Sequence, residues 1–256
     1  MRRSTLATLL GLGLSALALL YVDSSPRPPG SFDEAKRIAR QIYAEQPVTF
    51  YCGCRYSGNQ VDLASCGYEP RKQPTRARQL EWEHVVPAWV IGHQRQCWQS
   101  GGRRNCTARD PQFSAAEADL HNLVPSIGEV NGDRSNFALG WLPNSPAQYG
   151  ACPMVVAFDR RIAMPPEAAR GPAARIYLYM ADQYGLRLSP QDRKIYETWH
   201  RAYPVSDWER WRNQKVSCAM GRENPYVGPY DAGQCRREAM LERLRTLLLD
   251  ALKRLL

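Results

Sequence analysis

The feature that most restricts the fold of this chain is its set of eight cysteines. They are Cys52, Cys54, Cys66, Cys97, Cys106, Cys152, Cys218 and Cys235. An even number of cysteines in a chain that leaves the cytosol is typical of a disulfide framework, so we predict four disulfides. Most pairings stay open, but Cys97 and Cys106 are favoured as a local pair because Gly101-Gly102 lets the intervening loop turn. A zinc site is the alternative, although Cys52-Gly-Cys54 lacks the gap of a zinc knuckle and no second knuckle follows.

The N-terminus has the three parts of a secretory signal peptide. Arg2 and Arg3 form a basic start, an apolar run follows over residues 6–20, and Ala16-Leu17-Ala18 has the small residues of a cleavage site. We therefore predict a signal peptide over residues 1–18, with an uncleaved anchor that extends to Val22 as the alternative. No later segment of the sequence is apolar enough to span a membrane, so no transmembrane helix is expected in the mature chain. The predicted location is periplasmic or secreted, where disulfides persist.

Arginine dominates the charge of the chain. The sequence has 34 basic residues, of which only five are lysines, against 25 acidic residues, and the net charge is +9. Such a surface favours a polyanionic partner, chiefly nucleic acid or an anionic membrane, because guanidinium groups bind phosphate as a fork. The alternative for each residue is an ordinary solvated charge. Candidate phosphate-binding residues are Arg71, Lys72, Arg76, Arg78, Arg95, Arg104 and Arg134.

The pattern of apolar and capping residues predicts one α+β domain, mostly helical, with a small sheet. Ser31 is expected to cap a helix that extends to Gln46, with Glu34 completing a capping box. Gln79–Val86 and Leu120–Val124 are predicted strands, and Pro125 is placed to open a helix. Residues 97–112 are expected to form a disulfide-tied loop. Further helices are predicted over 168–184 (ended by Gly185), over 191–202 (after Ser189-Pro190), from Ser206 or Asp207 onward, and over 236–256.

The segment Glu81–Pro87 carries the first candidate for catalysis. Glu83 and His84 offer a metal ligand beside a general base. Because neighbouring side chains of a strand point to opposite faces, the two could converge only at a strand end or a bend, which Pro87 makes plausible. The alternative is a surface carboxylate beside a half-buried histidine. The sequence lacks the motifs of zinc proteases, α/β-hydrolases and P-loop enzymes.

A second polar segment, residues 119–136, gathers potential oxygen ligands. It contains three asparagines, two aspartates, one glutamate and one histidine. Carboxylate and amide oxygens suit Mg²⁺. The alternative is a polar turn, since Asn131-Gly132 is a common turn pair. Composition leaves both interpretations open.

Three long blocks of the sequence resemble the bacterial endonuclease I family of secreted and periplasmic, sugar-nonspecific nucleases. These blocks are EWEHVVPAWVIGHQRQCW (81–98), GGRRNC (101–106) and DLHNLVPSIGEVNGDRSN (119–136). Shorter similar blocks are FYCGC (50–54), CGYEPRKQPTRA (66–77) and ARIYLYMADQYGL (174–186). The resemblance spans about residues 32–235 and implies a ββα-metal core, in which two strands and a helix hold one divalent ion.

The resemblance also implies roles for individual residues. By position, His84 is the general base, and Glu83 and Asn131 are the metal ligands. Arg103 is the arginine that stabilises the phosphate. Additional candidates in the matched blocks are Glu117, His121 and Arg104.

The resemblance implies a monomeric endonuclease that cuts DNA and RNA with little sequence specificity. It would use one Mg²⁺, which Mn²⁺ can replace, and leave 5′-phosphate ends. The implied layout is a signal peptide, a linker over 19–31, an endonuclease I-like domain over 32–235 and a basic amphipathic helix over 236–256. One alternative is an exported nucleic-acid-binding protein without catalysis. Another concerns the last helix, which would bind a membrane surface or else dock on its own domain or a partner chain.

Overall fold

A computed structural model of the protein describes residues 26–255, so the predicted signal peptide lies outside the described residues. One unit of this structure spans Pro28–Pro229, and a second unit contains the chain from Tyr230 onward. The α-helices are α1 (Phe32–Tyr43), α2 (Pro74–Ala77), α3 (Ala88–Gly92), α4 (Gln96–Gln99), α5 (Gly102–Arg109), α6 (Pro111–Glu117), α7 (Gly128–Arg134), α8 (Glu167–Tyr184), α9 (Pro190–Ala202), α10 (Asp207–Met220) and α11 (Ala232–Leu255). The strands are β1 (Tyr56–Ser57), β2 (Gln60–Val61), β3 (Leu80–His84), β4 (Leu123–Ile127), β5 (Ala138–Leu139), β6 (Val155–Ala157) and β7 (Ile162–Met164).

Helix ends follow the local capping chemistry of the sequence. The Ser31 hydroxyl accepts the backbone N–H of Glu34 at the start of α1, as predicted. The Glu34 carboxylate bonds the backbone N–H of Gly30 instead of completing a capping box with Ser31. A complete capping box is found at α10, where Ser206 and Glu209 satisfy each other's backbone N–H groups.

An antiparallel pair of strands and the helix that follows it form the central unit of the fold. Strand β3 pairs antiparallel with β4, from Leu80 opposite Ile127 to His84 opposite Leu123, and α7 begins directly after β4. This strand–strand–helix unit confirms the predicted α+β fold with its ββα core. Separate small sheets are formed by β1 with β2 and by β5, β7 and β6 in that order.

Pro125 does not open a helix, contrary to our prediction, because it lies inside β4 opposite Trp82. In an antiparallel strand the N–H and C=O of one residue point to the same side. The Pro125 carbonyl points away from β3 and accepts the backbone N–H of Phe50 at 2.8 Å. The N–H that proline lacks would point to the same side, so its absence removes no hydrogen bond between β3 and β4. The helix begins three residues later, at Gly128, and carries Asn131 as expected.

Residues 97–112 are mostly helical, so the predicted loop is wrong for this segment. The segment contains the end of α4, all of α5 and the start of α6. The turn between α4 and α5 uses Gly101 and Gly102, both at positive φ. Asp110 then caps α6 by accepting the backbone N–H of Phe113, and Pro111 occupies the first turn.

The cysteines form disulfides, as predicted, and none of those in the described structure is free. Cys97 pairs with Cys106, which confirms the predicted local pair. The pairs Cys52–Cys152 and Cys54–Cys66 tie distant and neighbouring segments respectively, and Cys218 and Cys235 are disulfide-bonded as well. The zinc alternative is therefore wrong for these residues.

The long helix α8 runs through the core of the Pro28–Pro229 unit, with most of its residues buried. Its end at Gly185, where φ is +64°, is the predicted one. Buried Arg175 donates two hydrogen bonds to the Glu209 carboxylate, each at 2.6 Å, which joins α8 to α10. None of the helices in the described range has the length and apolar character needed to cross a bilayer.

Candidate active site

His84, at the end of β3, is buried and has a defined hydrogen-bond partner. Its Nε2 lies 2.7 Å from the backbone carbonyl oxygen of Glu117, which can only accept. Nε2 therefore carries the proton, and Nδ1 is left as the acceptor. Burial lowers the pKa of His84 to about 4, and the positive charge of Arg103 adds to this effect. The imidazole is accordingly neutral at neutral pH, the state that a general base requires.

Arg103 and Glu117 belong to the same cluster as His84. The Arg103 Nε donates to the Glu117 carboxylate at 2.5 Å, and the Thr107 hydroxyl donates to its other oxygen at 2.9 Å. Glu117 thus holds His84 through its backbone carbonyl and Arg103 through its side chain. About half of the Arg103 side chain is exposed, with 46% relative accessibility, so the guanidinium remains reachable from solvent.

Phe32 completes this cluster, and sequence reasoning missed it. Its ring centroid lies 4.6 Å from that of His84 and 5.2 Å from the Arg103 guanidinium carbon. Phe32 is the first residue of α1, far from the other members in sequence. A lone aromatic residue after a helix cap gives no signal of such a contact.

Glu83 points to the opposite side of β3 from His84, as strand alternation requires. Its buried carboxylate accepts hydrogen bonds from the Tyr51 hydroxyl at 3.1 Å and from Arg134 at 3.0 Å. Burial raises the pKa of Glu83 to about 7, against the opposing effects of Arg134 and Tyr51. Glu83 and His84 are thus held by separate sets of partners at the end of β3.

Arg134 is predicted as a candidate phosphate-binding residue, but it is completely buried and is therefore not available for a phosphate. Besides Glu83, it donates to the backbone carbonyls of His84 and Val85 and to the Tyr177 hydroxyl. One guanidinium therefore fixes both the carboxylate and the backbone at the end of β3. The other candidate arginines with carboxylate partners are Arg71 with Asp133, Arg76 with Glu81, and Arg95 with Asp110.

Asn131, the second predicted metal ligand, contacts Glu81. Its Nδ2 donates to Glu81 Oε2 at 2.8 Å. Glu81 also accepts two hydrogen bonds from Arg76, at 2.8 and 2.9 Å. Because Glu81 and Glu83 are two residues apart on β3, both carboxylates face α7, and each contacts a residue of that helix.

The β3–α7 interface offers ligand types that suit a hard divalent cation, with the Glu83 carboxylate also paired to Arg134. The β3–α7 interface provides carboxylate oxygens and the amide oxygen of Asn131, which are the ligand types that Mg²⁺ prefers. No cluster of three or more histidine, cysteine, aspartate or glutamate side chains in the described residues is arranged to hold a metal. A site built on Glu83 and Asn131 would therefore leave several positions for water and phosphate, as is usual for Mg²⁺.

Two further carboxylates of the segment 119–136, those of Glu129 and Asp133, are hydrogen-bonded to other parts of the protein. Glu129 is buried and accepts three successive backbone N–H groups, those of Arg71, Lys72 and Gln73, at 2.6–3.1 Å. The Asp133 carboxylate accepts from Arg71 and from the Tyr149 hydroxyl. Both residues fasten the loop before α2 to the helix that carries Asn131.

Comparison with known proteins identifies the family. The sequence profile of the family described as Endonuclease I matches residues 20–230. The chain belongs to the endonuclease I family. An extracellular deoxyribonuclease of Aeromonas hydrophila is 49% identical over 84% of this chain and 96% of its own length. A periplasmic deoxyribonuclease of the same species is 47% identical over 85% of this chain and 95% of its own length. The Endonuclease-1 of Buchnera aphidicola subsp. Acyrthosiphon pisum is 48% identical over 77% of this chain and 80% of its own length.

The named locations of the extracellular and periplasmic relatives agree with the export predicted from the sequence of this endonuclease I member. They confirm the predicted periplasmic or secreted location. Disulfides are stable in those compartments, which is consistent with the disulfide-bonded cysteines of the structure. The family profile ends at residue 230, so α11 lies beyond the matched region.

Two additional candidates of this endonuclease I chain are His121 and Arg104. His121 is buried, with Nε2 at 2.9 Å from the Arg222 carbonyl oxygen and its ring 4.8 Å from that of Tyr179. It belongs to a buried network in which Asp119 binds Arg222 and the Tyr179 and Tyr184 hydroxyls. Arg104 is exposed on α5, next to Arg103. His121 therefore contacts the network around Asp119, whereas Arg104 is open to solvent, and both stay candidates.

Proposed function

We propose that this chain is an exported endonuclease that hydrolyses phosphodiester bonds of DNA and RNA with little sequence specificity. The proposed enzyme uses one Mg²⁺ and leaves 5′-phosphate ends. The observation that carries the proposal is the pairing of a neutral, oriented imidazole with a half-exposed guanidinium through Glu117. The names of the relatives, which are deoxyribonucleases and endonucleases, support it.

The proposed base is Nδ1 of His84. Because Nε2 donates to the Glu117 carbonyl, the ring cannot rotate freely and its free lone pair keeps one direction. Nδ1 takes a proton from the water that attacks phosphorus, and the bond to the Glu117 carbonyl stabilises the imidazolium that results. Phe32 covers the ring and excludes bulk water from one side.

Arg103 is proposed to bind the scissile phosphate. Only its Nε is engaged with Glu117, so the two terminal nitrogens remain for phosphate oxygens. The Glu117 carboxylate holds the guanidinium in place before substrate arrives. Such preorganised positive charge stabilises the charge that builds on the phosphate oxygens in the transition state.

Glu83 and Asn131 are the residues proposed to hold Mg²⁺. When bound, the ion would supply positive charge to the phosphate and to the leaving 3′ oxygen. Tyr51 and Arg134 orient the Glu83 carboxylate, and Glu81 orients the Asn131 amide. Mn²⁺ is expected to replace Mg²⁺ because it also accepts oxygen ligands.

A plasmid-nicking assay tests the proposed function. We expect nicking in Mg²⁺, its loss in EDTA and its recovery when Mg²⁺ or Mn²⁺ is added in excess. Single-stranded DNA and RNA should also be cut, and activity should fall steeply with salt because phosphate contacts release counterions. Full activity after exhaustive dialysis against EDTA would contradict the metal-dependent mechanism. DNA binding without any cleavage would favour the alternative of a non-catalytic binding protein.

A second prediction concerns Glu81 as a positioning residue for Asn131. Because Nδ2 of Asn131 donates to Glu81, the amide oxygen is directed away from Glu81 and is left for the cation. The Arg76 guanidinium that binds Glu81 also packs closely against Gly132 of α7. A Cβ added to Gly132 would lie only 2.1 Å from Arg76 Nη1, so a larger residue there would collide with the guanidinium. We expect Glu81→Ala to weaken Mn²⁺ binding by about 10–100-fold, as is usual when a partner of a metal ligand is lost.

Calorimetric titration with Mn²⁺ measures this effect without using activity. Glu81→Gln should restore part of the affinity, because its amide oxygen can still accept from Asn131. Asp182→Ala is the matched control, since it removes an exposed carboxylate that pairs with Arg193. An unchanged Mn²⁺ affinity in a well-folded Glu81→Ala protein would show that Glu81 does not orient the ligand.

A further inference from the structure

Helix α11 lies outside the region that the family profile matches and has its own surface chemistry. The family profile ends at residue 230, whereas the helix spans Ala232–Leu255. A cluster of large apolar side chains on this helix is exposed, with relative accessibilities between 38% and 65%. These side chains are Met240, Leu241, Leu244, Leu247, Leu248, Leu249 and Leu252. They form the largest group of exposed apolar residues in the described structure.

All but one of these side chains lie on the same side of the helix. At about 100° per residue, the positions from Met240 to Leu252, without Leu249, fall within an arc of about 140°. We call this set the apolar face. Leu249 lies outside it, within the polar half. An arc of this width exceeds the narrow seam of a two-stranded coiled coil, which uses two positions in seven.

Basic residues border the apolar face on both sides, and two of the three acidic residues lie farther from it. Viewed down the helix axis, Arg245 lies just outside the edge of the face that Leu252 forms, and Arg243 lies just outside the edge that Leu247 forms. Of the three acidic residues of α11, Glu242 and Asp250 lie within the polar half, where Leu249 also lies, and Glu238 lies just beyond Arg245. Over residues 232–255 there are six basic and three acidic residues, so the helix is a net cation.

This order suits a lipid surface. Arginines at the border of an apolar face can reach the phosphates of the headgroups while their carbon stems lie along the hydrocarbon, and acidic groups stay in water. Two copies of the helix that met through this face would instead bring arginine borders together. Charge complementarity therefore favours an anionic bilayer over a second copy of the chain as the occupant.

We propose that α11 binds the surface of anionic phospholipid membranes, with the apolar face inserted at the boundary between headgroups and acyl chains. The interaction is peripheral and does not span the bilayer. It would hold the exported protein at a membrane without using the residues around His84. The proposal is independent of the nuclease function, because it rests only on α11.

Vesicle sedimentation of the full exported chain tests the proposal, with its disulfides intact. We expect binding to vesicles of phosphatidylglycerol and phosphatidylcholine, and at least about tenfold weaker binding to phosphatidylcholine alone. Leu248→Gln should weaken binding to the anionic vesicles by about fivefold or more, because it removes a leucine from the centre of the apolar face. Leu249→Gln is the matched control, since it makes the same change at the next residue but outside the face, and it should change binding by less than about twofold.

Three results would overturn the proposal. Equal binding of the wild type and Leu248→Gln would assign the attraction to the basic surface of the rest of the chain. If the wild type self-associates in sedimentation equilibrium but does not bind vesicles, and Leu248→Gln no longer self-associates, the face would be assigned to a second copy. An absence of binding to anionic vesicles by the folded wild type would reject the membrane directly. Nicking of DNA in solution should be the same for all three proteins, and circular dichroism should show that the helix is retained.

Discussion

The His84→Ala enzyme is expected to nick plasmid DNA about 10³-fold more slowly than the wild type, within the usual range for loss of a general base. The reason is the hydrogen bond from Nε2 to the Glu117 carbonyl, which leaves Nδ1 as the only acceptor of the ring. Affinity for DNA should change little, because the proposed mechanism assigns phosphate binding to Arg103 and the rest of the basic surface. The measurement is single-turnover nicking with enzyme in excess, together with filter binding of DNA in EDTA.

The matched control for this prediction is His93→Ala. His93 lies in the same matched block, but its ring stacks on Trp89 at 3.9 Å between centroids and its Nδ1 bonds the Trp89 carbonyl. We expect nearly full activity from this variant. Thermal unfolding would show whether loss of the contact between His84 and Phe32 affects the fold. A folded His84→Ala protein with wild-type turnover would remove His84 from the mechanism.

The second large effect is expected from the Cys52–Cys152 disulfide. This bond joins residues 100 apart in sequence, whereas Cys54–Cys66 and Cys97–Cys106 join residues 12 and 9 apart. A longer closed loop restricts the unfolded chain more strongly, so this bond should contribute most. We expect the double variant Cys52→Ala with Cys152→Ala to lower the free energy of unfolding by about 2–5 kcal/mol. Guanidinium unfolding measures the change.

The same bond has a consequence for activity, because the segment that it closes contains every predicted site residue. Reduction and alkylation under native conditions should therefore leave an enzyme with little nicking activity. The double variant Cys97→Ala with Cys106→Ala separates local from global effects. It should lose activity through a looser α5, which carries Arg103, while its unfolding free energy falls by less than that of the first variant. Full activity in the completely reduced protein, with bond loss confirmed by mass, would show that the disulfides add durability alone.

Local physics made several elements readable from the residues. Ser31, Ser206 and Gly185 mark helix ends because a cap depends only on neighbouring backbone groups and on the φ that glycine tolerates. The same reasoning failed at Pro125, where a long-range bond from Phe50 makes the residue suitable for a strand. It also failed over residues 97–112, where α5 is short and polar and gives little apolar periodicity.

The candidate site shows the same division between local and long-range information. Strand alternation makes the neighbours Glu83 and His84 point to different sides of β3, and the resemblance of the matched blocks to endonuclease I points to His84, Arg103 and Asn131. Side-chain partners come from elsewhere in the fold. Glu117 contributes its backbone carbonyl to His84, and Phe32 reaches the cluster from the start of α1.

Burial is the property that sequence reasoning could not supply. Arg134 and Arg103 are both arginines in matched segments, yet the first is buried against Glu83 and the second is half exposed beside Glu117. Their different roles follow from where helices α7 and α5 pack, and that packing depends on contacts between residues far apart in the chain. Residue type and spacing therefore predict which chemistry is possible, whereas the tertiary contacts select which of several equivalent side chains can reach a substrate.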